Sequence, residues 1–243
     1  MPAKFSLPGL KVADASAATK LVLLCGLPFS GKTTAALTFP NAILLDGEGK
    51  VPAGAPTIPF IDDAYVDSLK PRANKNNPPN RRDALLHFVS RVLPTFPKDQ
   101  TFIIDSLSAV DAWYHRETED VEGVADLRQI YGKKLKYFTA LFNDLRNAPC
   151  SIVVTAHMQP MIGENEKPTG GYKAFIGGSF AEKLPSFATM VLRNYVDVRR
   201  PAGEQYRWQI KPDGILQSTG VCTTKQLSVG DVRATYADLM AVL

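Results

Sequence analysis

The stretch that decides the fold is residues 21–37, LVLLCGLPFSGKTTAAL. A short apolar run ends at Gly26; after four intervening positions come Gly31, Lys32 and Thr33. That is the spacing of a phosphate-binding loop. The apolar run predicts a buried strand, and GKTTAALTF predicts a helix that Pro40 ends. A strand, a glycine-bearing turn and a helix form the setting in which backbone N–H groups wrap phosphates, with the positive end of the helix behind them. Gly26, Pro28, Ser30, Gly31, Lys32, Thr33 and Thr34 make up the expected cradle. Lys32 is placed to neutralise β- and γ-phosphates, and the Thr33 hydroxyl to ligate magnesium. ATP and Mg²⁺ are the implied cofactors. The competing explanation, an ordinary strand-to-helix turn, does not account for both flanks.

Working outward, apolar runs recur and helical patterns alternate with them. NAILLDGEG reads as a second strand, QTFIIDS as a third ending at Asp105, and CSIVVTAH as a fourth. RRDALLHFVSRVL reads as a helix stopped before Pro94. A later helix carries Tyr131, Leu135, Phe138, Phe142 and Leu145 on one stripe, with Lys133, Lys134 and Lys136 off it. SFAEKLPSF predicts a short helix, ATMVLRNYV and YRWQIKP strands, and DVRATYADLMAVL a final helix. The fold class is therefore α/β, a mostly parallel central sheet flanked by helices on both faces. Residues 1–19 form an irregular arm, and 20–243 one domain with a Pro- and Asn-rich loop insertion at about 51–80.

In such sheets ligands sit at the carboxyl ends of the strands. Those ends carry the glycine loop, Glu48, Asp105 and His157. Asp105 suits a second magnesium group, acting through water, or a helix cap together with Ser106. Of Asp46 and Glu48, Glu48 projects further past its strand and suits the activation of a water; both could also simply solvate a glycine turn. His157 could touch the γ-phosphate and pass its presence to the following segment, or be a satisfied strand-end histidine.

The composition sets bounds on partners. The chain has 243 residues, 45% hydrophobic and 21% charged, with net charge +4, which permits an anionic partner without requiring one. Three cysteines without a C-x-x-C pair suggest neither a disulfide framework nor a zinc site; Cys25 and Cys150, in or beside apolar runs, read as reduced core residues of a cytoplasmic protein. The run LVLLCGL is too short to span a membrane and no secretory signal is evident, so no membrane partner is expected.

With GLPFSGKTT, LLDGEG, FIIDSLSAV and SIVVTAHMQ in place, the chain resembles the RecA-like recombinase ATPases over roughly residues 20–212. It is most similar to the small phage RecA-like proteins described as single-strand annealing proteins or minimal recombinases. The resemblance implies a RecA-like P-loop NTPase core. It also implies Glu48 as catalytic base, Asp105 as the second magnesium group, and His157 in the γ-phosphate-sensing place where RecA itself has Gln. Two loops of that family hold single-stranded DNA along a filament axis; they would correspond to residues 117–130 and 158–178. Lys167 and Lys173 would then meet phosphates, and Tyr172 and Phe175 would stack on bases. Lys211 lies near the place from which a neighbouring subunit completes the ATP site.

Single-stranded DNA, further copies of the chain in a ring or filament, and a single-strand-binding protein are the implied partners, in the host cytoplasm if the chain is phage-encoded. The chain departs from RecA in lacking its larger terminal domains and in the 51–80 stretch. There Lys70, Arg72, Lys75, Arg81 and Arg82 form either a second DNA patch or a solvated loop. Phe5 or Leu7 of the arm could anchor a neighbour. Three alternatives stand beside this reading: a small-molecule kinase, an assembly module in which ATP is only a switch, and the ATPase of a replicative or other phage machine.

Overall fold

The computed structural model describes residues 20–59, 63–69, 80–121, 126–162, 167–212, 216, 220–221 and 229–242. The 1–19 arm, with Phe5 and Leu7, lies outside these residues, as do Lys70, Arg72 and Lys75.

The first strand, β1, is Leu21–Gly26, and all six residues are buried. Alternate side chains enter two separate cores. Leu21, Leu23 and Cys25 join one apolar cluster, while Val22 and Leu24 join the other. A strand covered on both faces needs apolar residues at every position, which is why the run shows no alternation. β2 (Ala42–Asp46), β4 (Thr101–Asp105), β5 (Ser151–Ile162) and β7 (Met190–Val196) complete the parallel core. β3 (Thr57–Pro59) extends it in parallel beyond β2.

Across the sheet the order is β10-β8-β7-β1-β5-β4-β2-β3, where β8 is Tyr206–Gln209 and β10 is Asp231–Arg233. β7, β8 and β10 pair antiparallel, so the sheet is mixed at this edge. β6 (Pro168–Ala174) pairs antiparallel with the far end of β5, and β9 (Gly220–Val221) with β7. This is the expected α/β fold, a mostly parallel central sheet flanked by helices on both faces. β1 lies between β5 and β7, and β5 separates it from the Asp105 strand.

One face of the sheet is covered by α1 (Lys32–Ala36) and α7 (Tyr236–Met240), with Trp208 of β8 fully buried among them. The other is covered by α3 (Arg81–His87), α4 (Leu107–Arg116), α5 (Leu127–Asn147) and α6 (Phe180–Lys183). Among the described residues no helix is long and apolar enough to cross a membrane.

Several elements differ from the sequence expectation. α1 stops at Ala36 rather than Phe39, because Thr38 and Phe39 close tighter i→i−3 turns on Ala35 and Ala36. Within 51–80, β3 and α2 (Asp63–Leu69) are regular structure, so that stretch is not one continuous loop. Residues 117–121 prolong α4 as a wider helical turn, and 127–130 already belong to α5. The tail is not a single helix. Val232 is buried and pairs with Trp208, and α7 begins only after Thr235, whose hydroxyl accepts from Asp238 N.

The stripe of α5 is also displaced from the expected one. Its buried positions are Ile130, Lys134, Tyr137, Phe138, Leu141, Phe142 and Leu145, whereas Tyr131 is partly exposed. Lys134 therefore sits on the apolar stripe, not off it.

Candidate active site

Gly31 has φ 81°, the left-handed conformation that glycine adopts without a Cβ penalty. A side chain there would run into the Tyr206 ring at 2.6 Å. A Cβ at Gly26 would meet Ser30 Oγ and, at 2.7 Å, the Asn194 carbonyl oxygen. Both glycines are thus required by close approach. α1 is only five residues long, so the amides of the loop, rather than a long helix dipole, would carry most of the attraction for phosphate.

Lys32 is buried, and its Nζ donates to Gly26 O at 3.2 Å and to Leu27 O at 3.0 Å. Burial lowers its pKa, while the carboxylates of Asp105 and Glu48 act to raise it. Its ammonium is thus held back on the loop, next to the strand tips. Thr33 Oγ1 donates to Asp105 Oδ2 at 2.6 Å, and the Thr155 hydroxyl donates to Asp105 Oδ1. Asp105 is buried and lies at the tip of β4.

Glu48 follows β2 in a turn tied by Asp46, whose Oδ1 accepts from Glu48 N at 2.9 Å and Gly49 N at 2.7 Å. Asp46 therefore shapes the turn, and Glu48 is the carboxylate that reaches the site. Gly47 N donates to Asp105 O at 2.5 Å, and a Cβ there would lie 3.2 Å from that oxygen. Glu48 Oε1 accepts from Ser106 Oγ at 2.5 Å and contacts His157 Nε2 at 2.8 Å. Burial pushes the Glu48 carboxyl up, but the hydrogen bonds from Ser106 and His157, with the nearby charges of His157 and Lys50, hold it below the usual carboxylate value.

His157 Nδ1 lies 3.5 Å from Lys32 Nζ, an ammonium that can only donate. In the neutral ring that makes Nδ1 the acceptor and Nε2–H the donor to Glu48. His157 N donates to Ser108 Oγ at 3.0 Å.

The five residues singled out for the phosphate chemistry, Lys32, Thr33, Glu48, Asp105 and His157, thus come together, and a Mg–nucleotide fits them. A hydroxyl beside a carboxylate is a hard-oxygen pair suited to Mg²⁺. Among the described residues no three His, Cys, Asp or Glu groups gather into a metal cage, so a cation here would take its remaining ligands from phosphate and water. Bound there, Mg²⁺ would neutralise charge building on the phosphate oxygens. Thr33 and Asp105 would hold it, Lys32 would face the outer phosphates, and Glu48 would orient a water. A carboxylate held below its usual pKa is a weak base, so orientation is its larger contribution until Ser106 or His157 lets go.

Thr155 and Asn194 were not singled out from sequence. The signal was present for Thr155, the lone polar residue in VVTA; Asn194 follows Arg193 in LRNY and stood out less. Asn194 is buried, and its amide donates to Ser30 O.

The residues expected to meet DNA are spread along a hairpin, not a loop. β5 runs past His157 to Ile162 and pairs with β6, setting Gln159 against Lys173 and Pro160 against Tyr172. The glycines had suggested an irregular segment. Instead Pro168–Ala174 is a strand, with Tyr172 and Ala174 on one face, and Gly170 takes φ 83° within it. Phe175 is half-exposed, and its N donates to His157 O at 2.7 Å. Lys167 is exposed at the start of the returning strand. Lys211 lies just past β8, its N donating to Gly230 O at 3.2 Å. Arg81 and Arg82 are engaged at the end of α4: their N–H groups reach Glu117, and their guanidinium groups lie over Trp113 and Tyr114.

The chain is similar to two solved structures at low identity. A RadB recombinase is 14% identical, with 82% of this chain and 85% of that one covered and a TM-score of 0.39. A KaiC-like protein, PH0186 from Pyrococcus horikoshii OT3, is also 14% identical, with 79% and 76% covered and a TM-score of 0.39. No curated protein matches the chain. A family model described as "AAA domain" matches residues 18–219, a span that runs from just before β1 to beyond β8. The chain therefore belongs to the AAA-domain family of P-loop proteins.

Proposed function

We propose that the chain is a magnesium-dependent ATPase that binds single-stranded DNA and promotes strand annealing or exchange as a homo-oligomer. ATP would occupy the loop from Gly26 to Thr34, with Glu48 orienting the attacking water and Lys211 of one copy reaching the nucleotide of another. One observation carries the coupling to DNA. β5 passes without a break from the phosphate-facing His157 into the hairpin that bears Tyr172 and Lys173, and Phe175 N returns to His157 O at 2.7 Å. A change at His157 is thereby one hydrogen bond from the exposed Phe175. Lys167, Lys173, Tyr172 and Phe175 supply the cations and rings that hold a single strand. Buried, unpaired Cys25 and Cys150 suit a reducing cytoplasm.

The test is ATP turnover by the purified chain with and without single-stranded DNA. Stimulation by the strand is expected; one rate in both conditions would remove DNA from the reaction.

A further inference from the structure

A cleft of about 310 Å³ opens between the glycine loop at residues 27–30 and the carboxyl ends of β5, β6 and β7. Pro28, Phe29, Met158, Tyr172, Arg193 and Tyr195 supply its chemistry. Lys32, Glu48, Asp105 and His157 do not line it, whereas Pro28 and Ser30 of the expected nucleotide cradle do, so it adjoins the phosphate constellation across the shared loop. Its volume is at the lower end for small-ligand sites, which suits one planar ring.

Three features mark the cleft. Phe29 is 97% exposed at φ 61°, a backbone region that disfavours a bulky side chain. A ring held in water in that conformation stabilises nothing within the chain. Next, Ser30 Oγ and Asn194 Oδ1 are buried without a hydrogen-bond partner among the described residues, and both residues line the cleft. Such orphans are uncommon and point to a missing partner. Finally, the Arg193 guanidinium lies over the Tyr195 ring at 4.5 Å, which gives the wall a flat cationic–aromatic surface.

Rings, a guanidinium plane and orphaned polar atoms behind them are the chemistry that recognises an unpaired nucleobase. We propose that this cleft takes up one base of a single DNA strand, stacked on Phe29 and Tyr172, with its polar edge toward Ser30 and Asn194. Every unpaired base presents at least one N–H donor on its pairing edge, so the site would tolerate sequence. Lys173, next to Tyr172 on β6, is placed for the strand's phosphates. The ligand rests on the DNA reading above. The new content is the place. One wall of the cleft is the glycine loop itself, so a base lodged there would touch the backbone that cradles the nucleotide, without a long relay.

The test compares a fluorescein-labelled oligodeoxynucleotide with an abasic strand of equal length and charge, by anisotropy, on the full chain. Wild type should bind the base-bearing strand more tightly. Phe29→Ala should weaken that binding by about fivefold or more, the loss of one stacked base, and leave the abasic strand unaffected. Because Phe29 is almost fully exposed, the variant keeps its fold, and Phe29→Trp should restore the preference. Equal binding to the two strands by wild type, or an equal loss on both in Phe29→Ala, would overturn the cleft while leaving DNA binding intact. Binding to neither strand would overturn the DNA reading and the ligand assigned here with it.

Discussion

Lys134 is the residue whose removal the structure weighs most heavily. Its side chain is 1% exposed and forms an ion pair with Asp111, whose own side chain is 12% exposed. His115 Nε2 lies 3.1 Å from its Nζ, and the Tyr131 ring centroid 5.6 Å away. Asp111 Oδ2 also accepts from Gly177 N at 3.0 Å, so the pair joins α4, α5 and the segment after β6. Lys134→Met keeps the length of the side chain and removes its charge. Asp111 is then left in a buried site with one backbone donor, a change that costs about 3–5 kcal/mol. Asp111→Leu strands the ammonium and should cost about as much.

The double variant Lys134→Met/Asp111→Leu leaves neither charge. Its residual cost is mainly the unpaired Gly177 N–H, about 1–3 kcal/mol. The singles should therefore sum to far more than the double. Urea unfolding followed by circular dichroism reads all three against a total stability of about 5–15 kcal/mol for a typical domain. If the two singles simply add, or each costs under about 1 kcal/mol, the pair is not the desolvated unit described and the reasoning fails.

Other outcomes follow from the same geometry. Glu48→Gln can keep the acceptor that Ser106 and His157 share, so nucleotide affinity should hold while turnover falls about 10²–10⁴-fold; unchanged turnover would take Glu48 out of the reaction. The Glu48 carboxyl, held below its usual value, contributes stability above the ordinary glutamate pKa that is lost as pH falls through the depressed one. Wild type should therefore exceed Glu48→Gln in stability at neutral pH and converge with it in acid, as melting curves across that range would read. Gly178→Ala should destabilise more than Gly203→Ala. Both glycines have positive φ, 78° and 87°, but only at Gly178 would a Cβ meet the Tyr131 ring, at 2.7 Å; equal melting temperatures would refute the clash.

The sheet and the gathering of Lys32, Thr33, Glu48, Asp105 and His157 were legible because local rules decide them. Two-sided burial writes β1, β4 and β5 as unbroken apolar runs, and the loop spacing is dictated by phosphate geometry. Glu48, Asp105 and His157 could be found because each is a polar residue just at, or just beyond, the end of such a run. Less was visible where a tertiary partner overrides the local pattern. Lys134 looks like surface in the sequence, since its acceptor Asp111 is 23 positions away on another helix. The β5–β6 hairpin looked like a loop because its glycines read as breakers, and only pairing with β5 makes the stretch a strand.

The same contrast holds for α4, which hydrogen bonds tie to the turn after β2, to β5 and to the segment after β6. Its N-cap Ser106 donates to Glu48, and Ser108 accepts from His157 N. One turn on, Asp111 holds Gly177 N, and His115 meets Lys134. Ser108, Asp111 and His115 are spaced by three and four residues, so they lie along one face of the helix. A polar stripe of this kind scores poorly as an amphipathic signal, yet it runs from the phosphate constellation to the root of the hairpin. Intermediacy alone does not make a path for coupling. It does fix where a shift would have to register: if Glu48 or His157 moves when the outer phosphate leaves, α4 must either follow, carrying Gly177 with it, or break the Ser106 or Ser108 bond.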